Sequence, residues 1–112
     1  MYIVEYQYKL KPHAKIEDQI RILTELAAPV YRRIPGCISA NIFGYEDTED
    51  KGNQWDYAFV VVWENEVAAK KSIEDNYIGP DSELGKTGSP GRFLEMVEDG
   101  VVSYATLLAS TE

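Results

Sequence analysis

The sequence predicts an α+β domain: a four-stranded antiparallel sheet with two helices packed on one face. Three observations predict it. Residues 2–10 and 55–64 alternate apolar and polar positions with period two. Residues 14–34 carry one apolar stripe at spacings of three and four. Turn-forming residues fall between these runs, at Pro12, Pro35-Gly36 and residues 46–53.

In the first strand Tyr2, Val4, Tyr6, Tyr8 and Leu10 share one face, and Ile3, Glu5, Gln7 and Lys9 share the other. Tyrosine and valine at period two mark a strand. Pro12 offers no N–H to a ladder and ends it. Ile16, Ile20, Leu23, Ala27, Val30, Tyr31 and Ile34 then line one side of a helix, with Glu17, Asp18, Arg21, Glu25 and Arg32 off that side. Pro29 lies inside the pattern. It removes one helical hydrogen bond, so it is expected to kink the helix or split off its last turn. Pro35-Gly36 stops the helix.

Cys37 to Tyr45 reads as the second strand and Glu46 to Asn53 as a polar hairpin loop. In the third strand, Trp55 to Glu64, an apolar face of Trp55, Tyr57, Phe59, Val61 and Trp63 backs a mixed face of Asp56, Ala58, Val60, Val62 and Glu64. Asn65 suits the N-cap of a second helix, Glu66 and Lys70 are spaced as an ion pair, and Ala68, Ala69, Ile73 and Tyr77 give the inner side. Residues 79–91 are rich in glycine and proline and read as a long loop or lid rather than a regular element. Arg92 to Val97 adds a helical turn, and Val101 to Leu108 is the fourth strand. The order β-α-β-β-α-β is the ferredoxin-like arrangement.

The 112 residues suit one domain spanning 1–112. The formal net charge of -8 repels phosphate backbones and anionic headgroups, so neither nucleic acid nor membrane is an expected partner. No run approaches the ~20 apolar residues of a membrane span. The N-terminus has no basic stretch ahead of an apolar run, so no signal peptide is read there. The single cysteine, Cys37, cannot form an internal disulfide, and a reducing, cytoplasmic setting is expected. Helices cover one sheet face, while the other carries Ile3, Ala58, Val60 and Val62. A second copy packed there would bury that patch, so a homodimer closing into an α/β barrel is expected.

Several motifs are too incomplete to carry chemistry. Gly85-Lys86-Thr87 imitates the end of a phosphate-binding loop, but Pro80 stands where its first glycine belongs. Asp47, Glu49 and Gly52 faintly resemble a calcium loop, yet Lys51 occupies a ligand position and Ala58 replaces the bidentate glutamate. Cys37 reads as a small core residue, and His13 as a surface or helix-start residue. One histidine and one cysteine cannot build a zinc or iron site from nitrogen and sulfur ligands. Glu5 and Gln7 face the expected partner, as interface groups or as the lining of an inner cavity.

Short motifs tie the elements to a known group. They are Leu10-Lys11-Pro12 closing the first strand, Ile34-Pro35-Gly36-Cys37 closing the first helix, and Val62-Trp63-Glu64-Asn65 ahead of the Ala68-Ala69 helix. With these the chain resembles the dimeric α/β barrels, specifically the antibiotic-biosynthesis monooxygenase-like (ABM) domains. The resemblance implies a homodimer with a pocket between the helices and sheet of each protomer, lined here by Tyr6, Tyr8, Tyr57, Phe59, Trp63, Ile73 and Tyr77. Members of the group include oxygenases that oxidise polycyclic phenols without metal or flavin, haem-degrading enzymes, and proteins of unknown role. The haem-degrading branch presents an asparagine on its first strand, a tryptophan in its second helix and a histidine after it. Here the first-strand place holds Tyr6, the second helix has Lys70 and Lys71 where the tryptophan belongs, and no histidine follows, so haem degradation is not expected.

The expected function is therefore cofactor-independent oxidation of a small aromatic or polyketide-like compound. Such chemistry needs a bound phenol, loss of its proton and stabilisation of the oxyanion. Trp63, Tyr77 and Arg92 are the expected catalytic groups, with Tyr6, Tyr8, Tyr57, Phe59 and Ile73 as ligand-binding walls. No cofactor is expected. The same aromatics can equally fill an ordinary core, so the alternative is a non-catalytic dimeric module that binds a small ligand or only assembles.

Overall fold

The period-two pattern of residues 2–10 becomes strand β1, Tyr2–Leu10, which lies inside the sheet rather than at an edge. The computed structural model describes residues 1–46 and 54–111. The other strands are β2, Cys37–Gly44, β3, Tyr57–Trp63, and β4, Val97–Thr106. Their order is β2-β3-β1-β4, and every neighbouring pair is antiparallel. Opposite β1, Tyr2 meets Trp63, Val4 meets Val61, Tyr6 meets Phe59 and Tyr8 meets Tyr57. Because side chains alternate, this register puts all eight on one face and sends Ile3, Glu5, Gln7, Ala58, Val60 and Val62 to the other. This is the ferredoxin-like sheet that the element order implies.

The first helix, α1, covers residues 16–31 in three consecutive pieces: helical Ile16–Arg21, a π-helical turn Ile22–Ala27 and helical Ala28–Tyr31. The disturbance expected at Pro29 takes the form of this wider turn just before it, where Ala28 N–H donates to Leu23 O. The extra residue rotates the two halves of the helix relative to each other. Ala27, Val30, Tyr31 and Ile34 are buried as the stripe implies, but Ile20 is 46% exposed and Gln19 takes the inward place. Gln19 is tolerated there because it is fully hydrogen-bonded. The Tyr8 hydroxyl donates to Gln19 Oε1 at 2.7 Å, and Gln19 Nε2 donates to Phe93 O at 3.3 Å.

Helix α2, Glu66–Glu74, starts where Asn65 Oδ1 accepts the Ala68 N–H at 2.8 Å. The Glu66–Lys70 pair forms at 3.0 Å. Residues 79–91 depart from the expectation of an irregular loop. They hold a short helix α3, Glu83–Lys86, and most of the first turns of α4, Ser89–Glu95. Ser82 Oγ accepts the Gly85 N–H at 2.9 Å and caps α3. Gly88, at φ 75°, makes the left-handed step between the two helices. Pro90 sits in the first turn of α4, where a missing N–H costs nothing. The glycine and proline here are punctuation between helices. Strand β4 correspondingly begins at Val97, earlier than Val101.

The helices all serve one sheet face. Val61 and Trp63 pack there against Ala27, Val30, Tyr31, Ile34 and Leu84. On the opposite face no described helix covers Ile3, Val60 and Val62, which stay half-buried. A small polar network lies on that open face: Gln7 Nε2 donates to the Tyr45 hydroxyl at 2.8 Å, and that hydroxyl donates to Glu5 Oε1 at 3.1 Å. No helix among the described residues is long and apolar enough to cross a membrane.

Candidate functional site

Strand alternation and helix phase together leave a cavity of about 370 Å³ between the sheet and α2. Its floor is the helix-facing side of the sheet: Tyr2, Val4 and Tyr6 from β1, Phe59, Val61 and Trp63 from β3, and Val102 and Tyr104 from β4. Its roof comes from Tyr31 at the end of α1, from Ala69, Lys70, Ser72 and Ile73 on α2, and from Ile78. The size is that of a small-ligand pocket, and apolar or aromatic groups dominate the wall. Trp63 is 3% exposed. At the β4 side the rings of Tyr2 and Tyr104 stack with centroids 6.4 Å apart. Tyr104 and Ile73 are well exposed, so the cavity opens to solvent between β4 and α2.

Of the residues expected to form a site, the structure brings Tyr6, Phe59, Trp63 and Ile73 together on this cavity. Tyr8 and Tyr57 share the same sheet face but lie further along it. Tyr8 is fully buried, with ring centroids 5.9 Å from Tyr57 and 5.2 Å from Phe93. Tyr77 lines a separate cleft beyond α2, with Ile34, Glu64 and Lys71. Arg92 lies in a charged groove between α1 and α4, beside Asp18, Glu25 and Glu95. Lining residues not expected from the sequence are Tyr2, Val4, Val102 and Tyr104, which the alternation places on the right face, Tyr31, which the apolar stripe of the first helix turns inward, and Lys70 and Ile78, which no local pattern marks as cavity residues.

The wall holds hydrogen-bonding groups. Among the described residues no aspartate, glutamate or histidine lines the cavity, and Lys70 is its one formally charged side chain. Burial, with help from the nearby Asp99 charge, raises the Tyr6 phenol above the usual tyrosine range. Burial raises Tyr31 further still, with a smaller push from Cys37. Both phenols are therefore neutral near pH 7, able to donate or accept a hydrogen bond but not to act as phenolate bases. The hydrogen bond and charge of Glu66 raise the Lys70 ammonium above the ordinary lysine value. Cys37 is half-buried and its thiol is pushed up by that burial, the reverse of what a nucleophilic thiolate requires. His13 is exposed ahead of α1.

Among the described residues no group of three or more histidine, cysteine, aspartate and glutamate side chains is placed to hold a metal ion. The calcium-like positions Asp47, Glu49 and Gly52 lie outside the described residues. Gly85 and Lys86 are part of α3, and the Gly85 N–H is already bonded to Ser82.

No family model and no curated protein matches the chain. Solved structures do. A dimeric ferredoxin-like protein of unknown function from Jannaschia sp. superposes with a TM-score of 0.68 at 11% identity, over 95% of this chain and 98% of the other. A mutant of SnoaB, a cofactor-independent oxygenase from Streptomyces nogalater, gives 0.63 at 13% identity, over 98% and 93%. An antibiotic biosynthesis monooxygenase gives 0.61 at 19% identity, over 97% and 100%. At these identities the likeness is one of fold. The chain has the ferredoxin-like fold of these proteins, a fold shared by oxygenases and by proteins of unknown function.

Proposed function

We propose that the chain binds a small planar aromatic or polyketide-like compound in the cavity beside Trp63 and oxidises it with molecular oxygen and no cofactor. The observation that carries this reading is the cavity itself: about 370 Å³, walled by Tyr6, Phe59 and Trp63, on the fold of a cofactor-independent oxygenase. With no carboxylate or imidazole among the described wall residues, the substrate must be acidic enough to lose its proton to water. An anthrone meets that need, because its enol ionises to a delocalised anion. Lys70 and Tyr6, both in the cavity wall, are the side chains that would donate to that anion. The anion then supplies the electrons: anthrone and oxygen give the quinone and water. The open face carrying Ile3, Val60 and Val62 is the surface through which two protomers pair, in keeping with the dimeric state of the Jannaschia protein.

A second reading has its own supporting observation. A wall without carboxylate or imidazole also suits a module that binds a ligand and leaves it unchanged. Oxygen-electrode assays with a panel of anthrones and quinols separate the two. The enzyme reading expects uptake that depends on the protein and falls about tenfold or more in Trp63→Phe and Tyr6→Phe. Parallel Tyr77→Phe and Arg92→Gln variants measure whether the two expected residues outside the wall take part. Thermal stabilisation by the same compounds with no oxygen uptake supports the binding module and counts against the enzyme.

A further inference from the structure

The cavity is amphipathic in a directed way. Its floor and inner wall are apolar, from Val4, Phe59, Val61 and Trp63, and its one formal charge stands on the roof at Lys70. Lys70 is exposed and lines the cavity together with the stacked Tyr2–Tyr104 pair. Its ion pair with Glu66 is solvent-exposed on both sides, and such pairs hold weakly against a competing anion. Glu66 itself does not line the cavity. The protein as a whole carries a charge of -8, so a lysine in the cavity wall is a local feature and not part of a general basic surface.

The geometry points to a ligand that is an aromatic monoanion: a body of about two or three fused rings seated against Trp63 and Phe59, with one carboxylate or comparably acidic group turned outward to Lys70 in place of Glu66. This rests on the cavity being the ligand site proposed above, and it adds the charge and orientation of the ligand. A neutral ring system of the same shape would fill the apolar part and leave Lys70 on Glu66. An acid entering head first would turn its charge away from Lys70 and into the apolar wall of Val4, Phe59 and Val61.

Isothermal calorimetry with 2-naphthoate and its uncharged counterpart 2-naphthamide tests this on the intact protein. The carboxylate is expected to bind about three- to fivefold more tightly than the amide, with the difference shrinking as salt rises. Lys70→Gln is expected to bring carboxylate binding down to the level of the amide. Glu66→Gln, which frees Lys70, is expected to strengthen carboxylate binding alone. Both positions are exposed, so neither change threatens the fold. Equal binding of the two probes to the unaltered protein, or equal loss of both in Lys70→Gln, overturns the assignment of charge while leaving an aromatic pocket in place. Binding of neither probe overturns both this inference and the ligand site on which it rests.

Discussion

Gly100 and Tyr6 show how one missing side chain shapes the cavity. Gly100 lies in β4, and a Cβ there would stand 2.5 Å from the ring and hydroxyl of Tyr6. The absence of a side chain lets the Tyr6 ring lie across β4, where it stacks on Tyr8 at 5.5 Å and helps floor the cavity. Gly100→Ala is expected to push the ring aside and cost about 1–3 kcal/mol, as overpacking does. Urea unfolding checks this, and a double-mutant cycle sharpens it: in a Tyr6→Ala background most of the cost should vanish. An undiminished cost there would locate the strain elsewhere. The Tyr6, Phe59 and Trp63 contributions to the site were legible in the sequence because a strand's period of two decides which face each residue takes. The part played by Lys70 was not. At i+4 from Glu66 it reads as half of a solvated ion pair, and only the seating of α2 across from the sheet makes it part of the cavity wall.

The elements differ in how locally they are determined. Helix α2 begins at Asn65 because that side chain satisfies an N–H its own backbone cannot, and this was readable from the residue and its position. Asn65→Ala is expected to cost about 1 kcal/mol in urea unfolding and to loosen the turn that carries Ala69 and Lys70. An unchanged midpoint would show that packing alone holds that turn. Helix α1 was legible in extent but not in phase. Pro29 marks a disturbance, yet whether the chain kinks, breaks or widens depends on what the helix packs against. Here it widens, and the offset turns Gln19 inward to Tyr8 while Val30 and Tyr31 reach the core. Residues 79–91 misled for a related reason. Glycine and proline there mark caps and a hinge between short helices, which composition alone does not separate from a loop.

At the scale of the whole molecule, the open sheet face gives the remaining prediction. Val60 and Val62 lie in the central part of the sheet with no helix over them, beside Ile3 and the Gln7–Tyr45–Glu5 network. Val60→Asp is expected to convert a dimer to a monomer in sedimentation velocity, because the charge would be buried without a partner against a second copy. An unaltered protein that sediments as a monomer would remove the case for pairing through this face. The sequence by itself determined the four strands, the two main helices and the two faces of the sheet. These follow from period, caps and turns, which act over a few residues. Only the tertiary structure decided the cavity: that Tyr31, Ile78 and Lys70 close over the aromatic face, and that Tyr77 and Arg92 lie in other clefts. That outcome depends on the phase of α1 after its widened turn and on the seating of α2, which arise from contacts between distant segments and leave no mark in any local window of sequence.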